Sequence, residues 1–318
     1  MFWKKWSKNV VFVAALLLLS TVPTFIKSNY FLHIFIITFL SIIYTVSLRL
    51  VMQSGLLSFG HGAFVGIGAY ASALLMMKVG LPFLPSMILS GIIAAVVGGL
   101  FLFPALRVRG AYFVILSWAV GEVFVVVYKR GKELFGGASG LYGIPSPEIF
   151  GVEFTSKIHY FYLALVLMAI TVLVCYRVDR TRFGVLIKGI SNSPDLSESV
   201  GVNLPKYKIL NFSLACFFAG LGGSFLAHYV RFISPEMFGI ALSESIVAYM
   251  LVGGSGSVLG AILGATILTA LPEILAFASY YKMLIYGIVL ILTMIFLPAG
   301  IISLPALLKK KYFLTKMQ

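Results

Sequence analysis

Glu122 is the acidic side chain whose setting suggests chemistry most strongly, because it lies in the middle of the apolar run SWAVGEVFVVV. An ionised acidic group at the centre of a bilayer costs on the order of 2.5 to 3.5 kcal/mol on insertion scales, so it is expected to face other protein or water. Three roles stay open for Glu122: contact with a substrate, capping of a broken helix, or a bond to a neighbour such as His61. Glu244, near the outer end of a shorter apolar run, is a weaker candidate.

The other polar side chains do not form a catalytic constellation. His33, His61, His159 and His228 are scattered without i, i+4 spacing or an HExxH pattern, and no serine lies in a G-x-S-x-G turn. No Walker A pattern occurs, and the glycine-rich stretches have no lysine placed to hold a phosphate. We therefore expect a chain that is not an enzyme and binds no metal or cofactor, with any Mg-dependent ATP hydrolysis performed by partner chains.

Glycine is the most informative residue type. The segments QSGLLSFGHGAFVGIGAYAS (53–72) and LVGGSGSVLGAILGAT (251–266) both alternate glycine with small residues, which allows neighbouring backbones to approach or a helix to break. Two interrupted apolar segments, one in each half, indicate discontinuous helices along a transport path, and close packing without a path is the alternative. The predicted path residues are Gly60, His61, Gly62, Gly66, Glu122, Gly253, Gly254 and Gly256.

The composition requires lipid as the solvent for these elements. Hydrophobic residues make up 60% of the 318-residue chain, charged residues only 11%, and the mean hydropathy is +1.05, which exceeds what one soluble core can bury. The apolar runs approach 20 residues without a dyad alternation, so they predict helices and not a barrel. The net charge of +14 comes from short basic clusters between apolar runs, which indicates membrane topology and not a nucleic-acid partner.

The predicted fold is all-α: a single polytopic transmembrane domain over residues 1–318 with about ten spans. The predicted spans are 10–27, 31–48, 55–77, 82–104, 111–128, 158–176, 209–228, 240–252, 257–277 and 280–298. With both termini in the cytoplasm, the inside receives about twice as many basic residues as the outside, although Lys129 and Arg130 oppose this bias. The first run could also be a cleavable signal peptide.

Two connections are long enough to have a function. The outer one, 129–157, contains FGGASGLYGIPSPEIFG, whose glycines and prolines favour an ordered, turn-rich lid or docking surface over a helix. The inner one, 177–208, mixes charges with apolar residues that a solvated loop would not need. We predict short amphipathic helices on either side of Pro194, with an apolar face that inserts into a partner or packs on this chain's own bundle.

Several motifs in a fixed order resemble one family. These are GLLSFGHGAFVGIGAY (55–70), LRVRGAYFVILSWAVGE (106–122), FGGASGLYGIP (135–145), RTRFGVLIKGI (180–190) and FISPEMF (232–238), followed by LVGGSGSVLGAILGA and LPAGI. Together they are similar to the permeases of branched-chain amino acid ATP-binding cassette importers, specifically the second of the two permease types. The resemblance extends from about residue 44 to residue 304.

The resemblance implies a bundle like that of the vitamin-importer type of permease, in a prokaryotic cytoplasmic (inner) membrane. It also implies a second homologous permease subunit, two cytoplasmic ATPases and an extracytoplasmic substrate-binding protein, with alternating access as the mechanism. The residues implied to couple to the ATPase are Arg182, Phe183, Gly184, Lys188, Pro194, Asp195, Glu198 and Gly201. A urea or short-chain amide importer, or a stand-alone secondary transporter, are the alternative functions.

Overall fold

A computed structural model describes residues 14–26, 28–149, 151–274, 282–297 and 300–303. The helices are α1 (Ala14–Phe25), α2 (Asn29–Gln53), α3 (His61–Val79), α4 (Phe83–Ala105), α5 (Ala111–Arg130), α6 (Lys132–Phe135), α7 (Lys157–Val178), α8 (Arg182–Asn192), α9 (Pro194–Ser199), α10 (Leu204–Val230), α11 (Ile240–Gly253), α12 (Val258–Ile274) and α13 (Lys282–Phe296). The strands are β1 (Leu141–Tyr142), β2 (Glu148–Ile149), β3 (Val152–Glu153) and β4 (Phe232–Ile233).

The described helices confirm a polytopic helical membrane protein. Seven of them are long and apolar enough to cross a membrane: α2, α3, α4, α5, α7, α10 and the segment Pro235–Gly253 that contains α11. The shorter apolar helices α1, α12 and α13 correspond to the other three predicted spans. Parts of the prediction lie outside the described residues. They are residues 10–13, 27, 275–277, 280–281 and 298 of the predicted spans, both termini with their basic residues, and the possible cleavage of a signal peptide.

The third predicted span begins later than expected. The sequence predicts a helix from residue 55, but α3 begins at His61, because Gly55 has a φ of +76° and residues 54–60 leave the helical conformation. Gly55 and Gly60 therefore lie in the connection between α2 and α3, while α3 itself is continuous, and a discontinuous helix in this segment stays a prediction. Predicted and observed bounds of the other long spans agree within about five residues.

The centre of the bundle is α10, which packs along α3 and α4. Backbones touch directly here, because a Cβ on Gly68 would clash with Gly220 and a Cβ on Gly223 would clash with the Val65 carbonyl. Such close contact between small residues stabilises membrane helices without a hydrophobic driving force. The rings of Phe64, Phe101 and Phe212 fill the space around this contact.

One end of the bundle, here called the ribbon end, contains the strands. β1 pairs antiparallel with β4 and β2 with β3, so the predicted outer connection is attached to the chain that follows α10. The same connection also contains the one-turn helix α6, whose Phe135 contacts the stacked rings of Tyr70 and Tyr128. Turn signals predicted an ordered loop, but not this helical turn, which the aromatic contact stabilises.

The opposite end, here called the coupling end, contains α8 and α9. The predicted pair of helices around Pro194 is confirmed: α8 ends at Asn192, and Pro194 occupies the first position of α9, where a missing N–H has no cost. The Thr181 hydroxyl accepts a bond from the Gly184 N–H at 3.3 Å and caps α8. Ile187 and Ile190 of α8 are buried against the bundle.

Candidate translocation site

Two stretches outside the α-helices, from distant parts of the chain, meet inside the bundle; the second contains a 3-10 helix (Pro235–Phe238). The first, residues 54–60, precedes α3, and the second, residues 231–239, runs from the ribbon end into the bundle and precedes α11. Phe238 of the second stretch lies against Gly66 of α3, where an added Cβ would be 2.8 Å from the phenylalanine Cβ. The beginnings of α3 and α11 are therefore neighbours, with their N-terminal N–H groups in the same region.

The first stretch is held by α5. The Phe59 N–H donates to the Ser117 hydroxyl at 3.0 Å, and a Cβ on Gly60 would clash with the Ser117 carbonyl. The Gly60 Cα lies 3.4 Å from the position that a Cβ on Gly121 would occupy. Glycine is therefore required at position 60, whereas a Cβ at position 121 would make an ordinary van der Waals contact. This contact lies one residue from Glu122.

A hydrogen bond joins the two helix beginnings. The Gly62 N–H, in the first turn of α3, donates to the hydroxyl of Ser243 in the first turn of α11 at 2.9 Å. Ser243 is almost fully buried, so its hydroxyl replaces the water that this N–H would otherwise need. The residues are 181 positions apart, and the bond fixes the relative position of the two helices.

Glu122 lies beside this junction. It is about 16 Å along α5 from the beginning of the helix and about 12 Å from its end, near the middle of a span. Its Oε1 lies 3.9 Å from the place that a Cβ on Gly239 would occupy, immediately before α11. Its side chain is half-buried, and among the described residues it forms no hydrogen bond or ion pair. The positive end of the α11 helix dipole is favourable for a carboxylate at this position.

His61 is not bonded to Glu122. Its Nε2 forms a hydrogen bond of 2.8 Å with the Ser47 hydroxyl of α2, while its Nδ1 is buried without a partner among the described residues. The proposed Glu122–His61 bond is therefore absent. His61 instead connects the beginning of α3 to Ser47, which lies in the last two turns of α2.

Glu244 lies on the surface of the chain. It is the residue after Ser243 and is exposed, about 13 Å along α11 from Gly253 at the coupling end. It is the fifth residue of α11 and thus lies near one end of this helix, as its position in the apolar run predicts. A carboxylate on a lipid-facing surface is costly, so this face of α11 requires a polar or protein neighbour.

The second glycine-rich segment lies elsewhere. A Cβ on Gly253 would clash with the Gly260 carbonyl, and Gly254, with a φ of +98°, ends α11. Gly256 is exposed, and no atom of the described residues lies near its missing Cβ. These three residues form the tight turn between α11 and α12 at the coupling end, so the structure separates them by the length of α11 from Gly60, Gly62 and Glu122.

The predicted coupling residues share one surface at the coupling end. Gly184 is buried against the Val178 carbonyl and Asp179, Phe183 contacts the Tyr207 ring, and Pro194 is half-buried. The remaining coupling residues are exposed: Arg182, Lys188, Asp195, Glu198 and Gly201. Three large apolar side chains are exposed beside them, namely Val185 (64%), Leu196 (66%) and Val200 (72%).

Sequence reasoning did not single out Ser117, Ser243, Arg49, Asp179 or Ser255. Serine in a membrane helix is common, and only its partner distinguishes a bond between helices from one within a helix. Arg49 directly follows the predicted span 31–48, where a basic residue is ordinarily a topological charge, but it is 1% exposed and ion-paired with Asp179. A buried partner 130 residues away leaves no local signal in the sequence. In the part of the chain that the structure describes, no three His, Cys, Asp or Glu residues form a group that could hold a metal ion.

These features define a multi-pass helical membrane permease, with two helices that begin inside the bundle and an amphipathic helix pair at one end. The profile of the family described as "Branched-chain amino acid transport system / permease component" matches residues 30–294. The chain belongs to this family of membrane transport permeases.

Relatives agree with this assignment. The chain is 32% identical, over 93% of its length and 76% of the relative's, to the high-affinity branched-chain amino acid transport system permease protein LivM of Escherichia coli (strain K12). It is 28% identical over 67% of its length and 62% of the relative's to the autoinducer 2 import system permease protein LsrC of Salmonella paratyphi B. It is 26% identical over 77% of its length and 82% of the relative's to the probable branched-chain amino acid transport permease protein LivH of Methanocaldococcus jannaschii. No solved structure matches the chain.

Proposed function

We propose that the chain forms one side of the transmembrane path of an ATP-driven importer for branched-chain amino acids, and that this path passes Glu122. The observation that supports it is the position of two carboxylates, the half-buried Glu122 of α5 and the exposed Glu244 of α11, close to the beginnings of α3 and α11. Contact with lipid hydrocarbon would be costly for either carboxylate. A second permease subunit therefore covers this face, and a water-containing path runs between the two subunits.

Cargo enters from an extracytoplasmic binding protein and leaves on the side of α8 and α9. Glu122 attracts the ammonium group of an amino acid, and the surrounding glycines and serines leave a narrow, weakly polar surface for an aliphatic side chain. The relatives named for branched-chain amino acids support this cargo. The relative named for autoinducer 2 import shows that related permeases belong to importers of a different cargo, so the cargo needs a direct test.

Two ATPase subunits bind α8 and α9 in this proposal. Val185, Leu196 and Val200 are exposed where water would surround them in the isolated chain, and their burial in a partner groove would be favourable. The exposed charges of Arg182, Lys188, Asp195 and Glu198 surround this apolar surface. ATP binding and hydrolysis in the partners then favour different positions of α8, and the permeases alternate between outward and inward access. Both termini, in this arrangement, lie in the cytoplasm and the chain spans the inner membrane.

The cargo and Glu122 are tested together by uptake into proteoliposomes that contain the full complex and the binding protein. We expect ATP-dependent uptake of labelled leucine, and a loss on the order of tenfold in Glu122→Gln, since the variant removes the charge but keeps the size. The matched control is Glu236→Gln, which breaks only the exposed ion pair with Lys129 and should leave uptake within about twofold.

The outcomes distinguish the alternatives. Uptake of urea without leucine would change the cargo and leave the architecture. Uptake by this chain without any ATPase would contradict the importer and favour a stand-alone transporter. Equal uptake in Glu122→Gln and the wild type would show that Glu122 only stabilises the beginning of α11.

The ATPase surface is tested by co-purification. The double variant Val185→Asp/Leu196→Asp should retain the bundle, because both side chains are exposed, yet lose most of the bound ATPase. Val152→Asp changes another exposed apolar residue (51%) at the ribbon end and should retain the ATPase. Full ATPase recovery with the double variant would remove the coupling role from this surface.

A further inference from the structure

A buried ion pair connects three elements at the coupling end. Arg49, near the end of α2, is 1% exposed, and its Nη2 lies 2.8 Å from Oδ2 of Asp179. The Arg49 Nε donates to the backbone carbonyl of Ser255 at 3.1 Å. Asp179 immediately follows α7, and Ser255 lies in the turn between α11 and α12. The planar guanidinium thus contacts two segments that are distant in the sequence, which a lysine at this position could not do in the same geometry.

The pair is incompletely satisfied. Arg49 Nη1 and Asp179 Oδ1 are buried, and neither has a hydrogen-bond partner among the described residues. A buried ion pair stabilises a protein only when its remaining donors and acceptors are also bonded, and an apolar pair of similar volume is often as stable. Stability alone therefore does not account for this pair, and the free donor and acceptor allow the same two side chains to pair in a second arrangement.

Asp179 is tightly linked to the proposed ATPase surface. Thr181, two residues later, caps α8, and a Cβ on Gly184 would lie 2.8 Å from the Asp179 Cα. The beginning of α8 is therefore packed directly on the backbone of Asp179. A displacement of α8 moves this carboxylate, because no flexible connection separates them.

Ser255 is linked in the same way to the translocation site. It follows Gly254, at the end of α11, and the opposite end of that helix holds Ser243 on Gly62 beside Glu122. A helix of 14 residues transmits a displacement of its end without bending, since no proline or helix bulge interrupts it. Arg49 thus lies between the part of the chain that faces the ATPase and the helix that faces the path.

We propose that Arg49 is a positioning residue that transmits the displacement of α8 to α11 by holding Asp179 and the Ser255 carbonyl together. The inference rests on the proposed function and deepens it, by assigning the connection between ATPase and path to one ion pair. In the second arrangement Arg49 pairs with Asp179 through its other amino group while its Nε keeps the Ser255 carbonyl, so that α11 follows α8 and moves relative to α2.

The test compares single and double neutral variants in the full complex with its ATPases and binding protein. Arg49→Met alone leaves the Asp179 carboxylate buried without a partner and is expected to reduce folding. Arg49→Met/Asp179→Asn removes both charges and should assemble as the wild type does. We expect the double variant to hydrolyse ATP but to transport on the order of tenfold fewer molecules per ATP. Arg107→Met, which removes an exposed basic charge at the same end, should keep the wild-type ratio.

The ratio of transport to hydrolysis separates this role from a structural one, which would lower both activities in proportion to the folded protein. A double variant with the wild-type ratio would overturn the inference and leave the proposed function intact. Absence of ATP-dependent uptake in the wild-type complex would contradict the proposed function itself.

If the double variant does not assemble, hydrogen exchange is measured in the wild-type complex with and without a non-hydrolysable ATP analogue. This measurement tests whether Arg49 connects α8 to α11. Peptides covering 178–184 and 253–258 should change protection together if Arg49 connects them. A change confined to the first peptide would overturn the inference.

Discussion

The two glycine-rich segments, 53–72 and 251–266, have nearly the same composition but different structures. The first includes the connection between α2 and α3 and brings Gly60 to Ser117 and Gly62 to Ser243 inside the bundle. The second forms a turn at one end, where Gly253 and Gly260 allow α11 and α12 to touch. Glycine therefore indicates that another group packs closely against the backbone at that position. The tertiary structure determines which group this is, and thus whether the result is a candidate site or only a contact between two helices.

The largest effect is expected where two backbones touch. Gly253→Ala would place a methyl group against the Gly260 carbonyl, and neither backbone can move without separating α11 from α12. We expect a loss of roughly 1 to 3 kcal/mol in stability, as for other overpacked interiors, measured by thermal unfolding in detergent. Gly256→Ala in the same turn meets no atom in the part of the chain that the structure describes, and it should change stability by less than about 0.5 kcal/mol. Equal effects would mean that composition, and not contact, decides.

An intermediate effect, and one on transport more than on stability, is expected at the first segment. Gly60→Ala would push residues 54–60 away from Ser117 and break the bond from the Phe59 N–H. Leucine uptake by the assembled complex should fall on the order of tenfold, equivalent to about 1.4 kcal/mol. The comparison with Gly253→Ala would fail if Gly60→Ala reduced the amount of folded protein and left uptake per complex unchanged.

The smallest effect is expected from the single hydrogen bond between the beginnings of α3 and α11. Ser243→Ala leaves the buried Gly62 N–H without its acceptor, which should cost about 1 kcal/mol of stability in the same unfolding assay. Ser245→Ala is the matched control, because the Ser245 hydroxyl bonds only to the Ala241 carbonyl of its own helix. Ser243→Thr should restore the bond, and its failure to restore stability would assign the loss to packing.

Much of the fold could be predicted because hydropathy and turn chemistry are local. Each of the ten predicted spans corresponds to a described helix, and Pro194 separates α8 from α9 as its fixed φ and missing N–H require. The beginning of α3 could not be placed, since Leu56, Leu57 and Phe59 continue the apolar run through the non-helical residues. Apolar composition thus predicts a location in the membrane, but it does not distinguish a helix from a short extended segment packed against another helix.

The candidate site could be predicted only in part. Glu122 was identified because an acidic residue inside a span is costly wherever it lies, and Gly60 and Gly62 because small residues permit close approach. Its partners Ser117 and Ser243 were missed, because serine is unremarkable in a span until a specific donor reaches it.

The sequence by itself therefore determined the solvent of this protein, its helical spans, the helix pair at the coupling end and the family motifs, since each depends on residues that are close in the chain. Only the tertiary structure decided which glycine-rich segment lies beside Glu122, that Gly253 closes a helix contact, and that Arg49 joins Asp179 to Ser255. The physical reason is that these contacts join residues up to 206 positions apart, and their energies depend on burial and geometry that no local pattern contains.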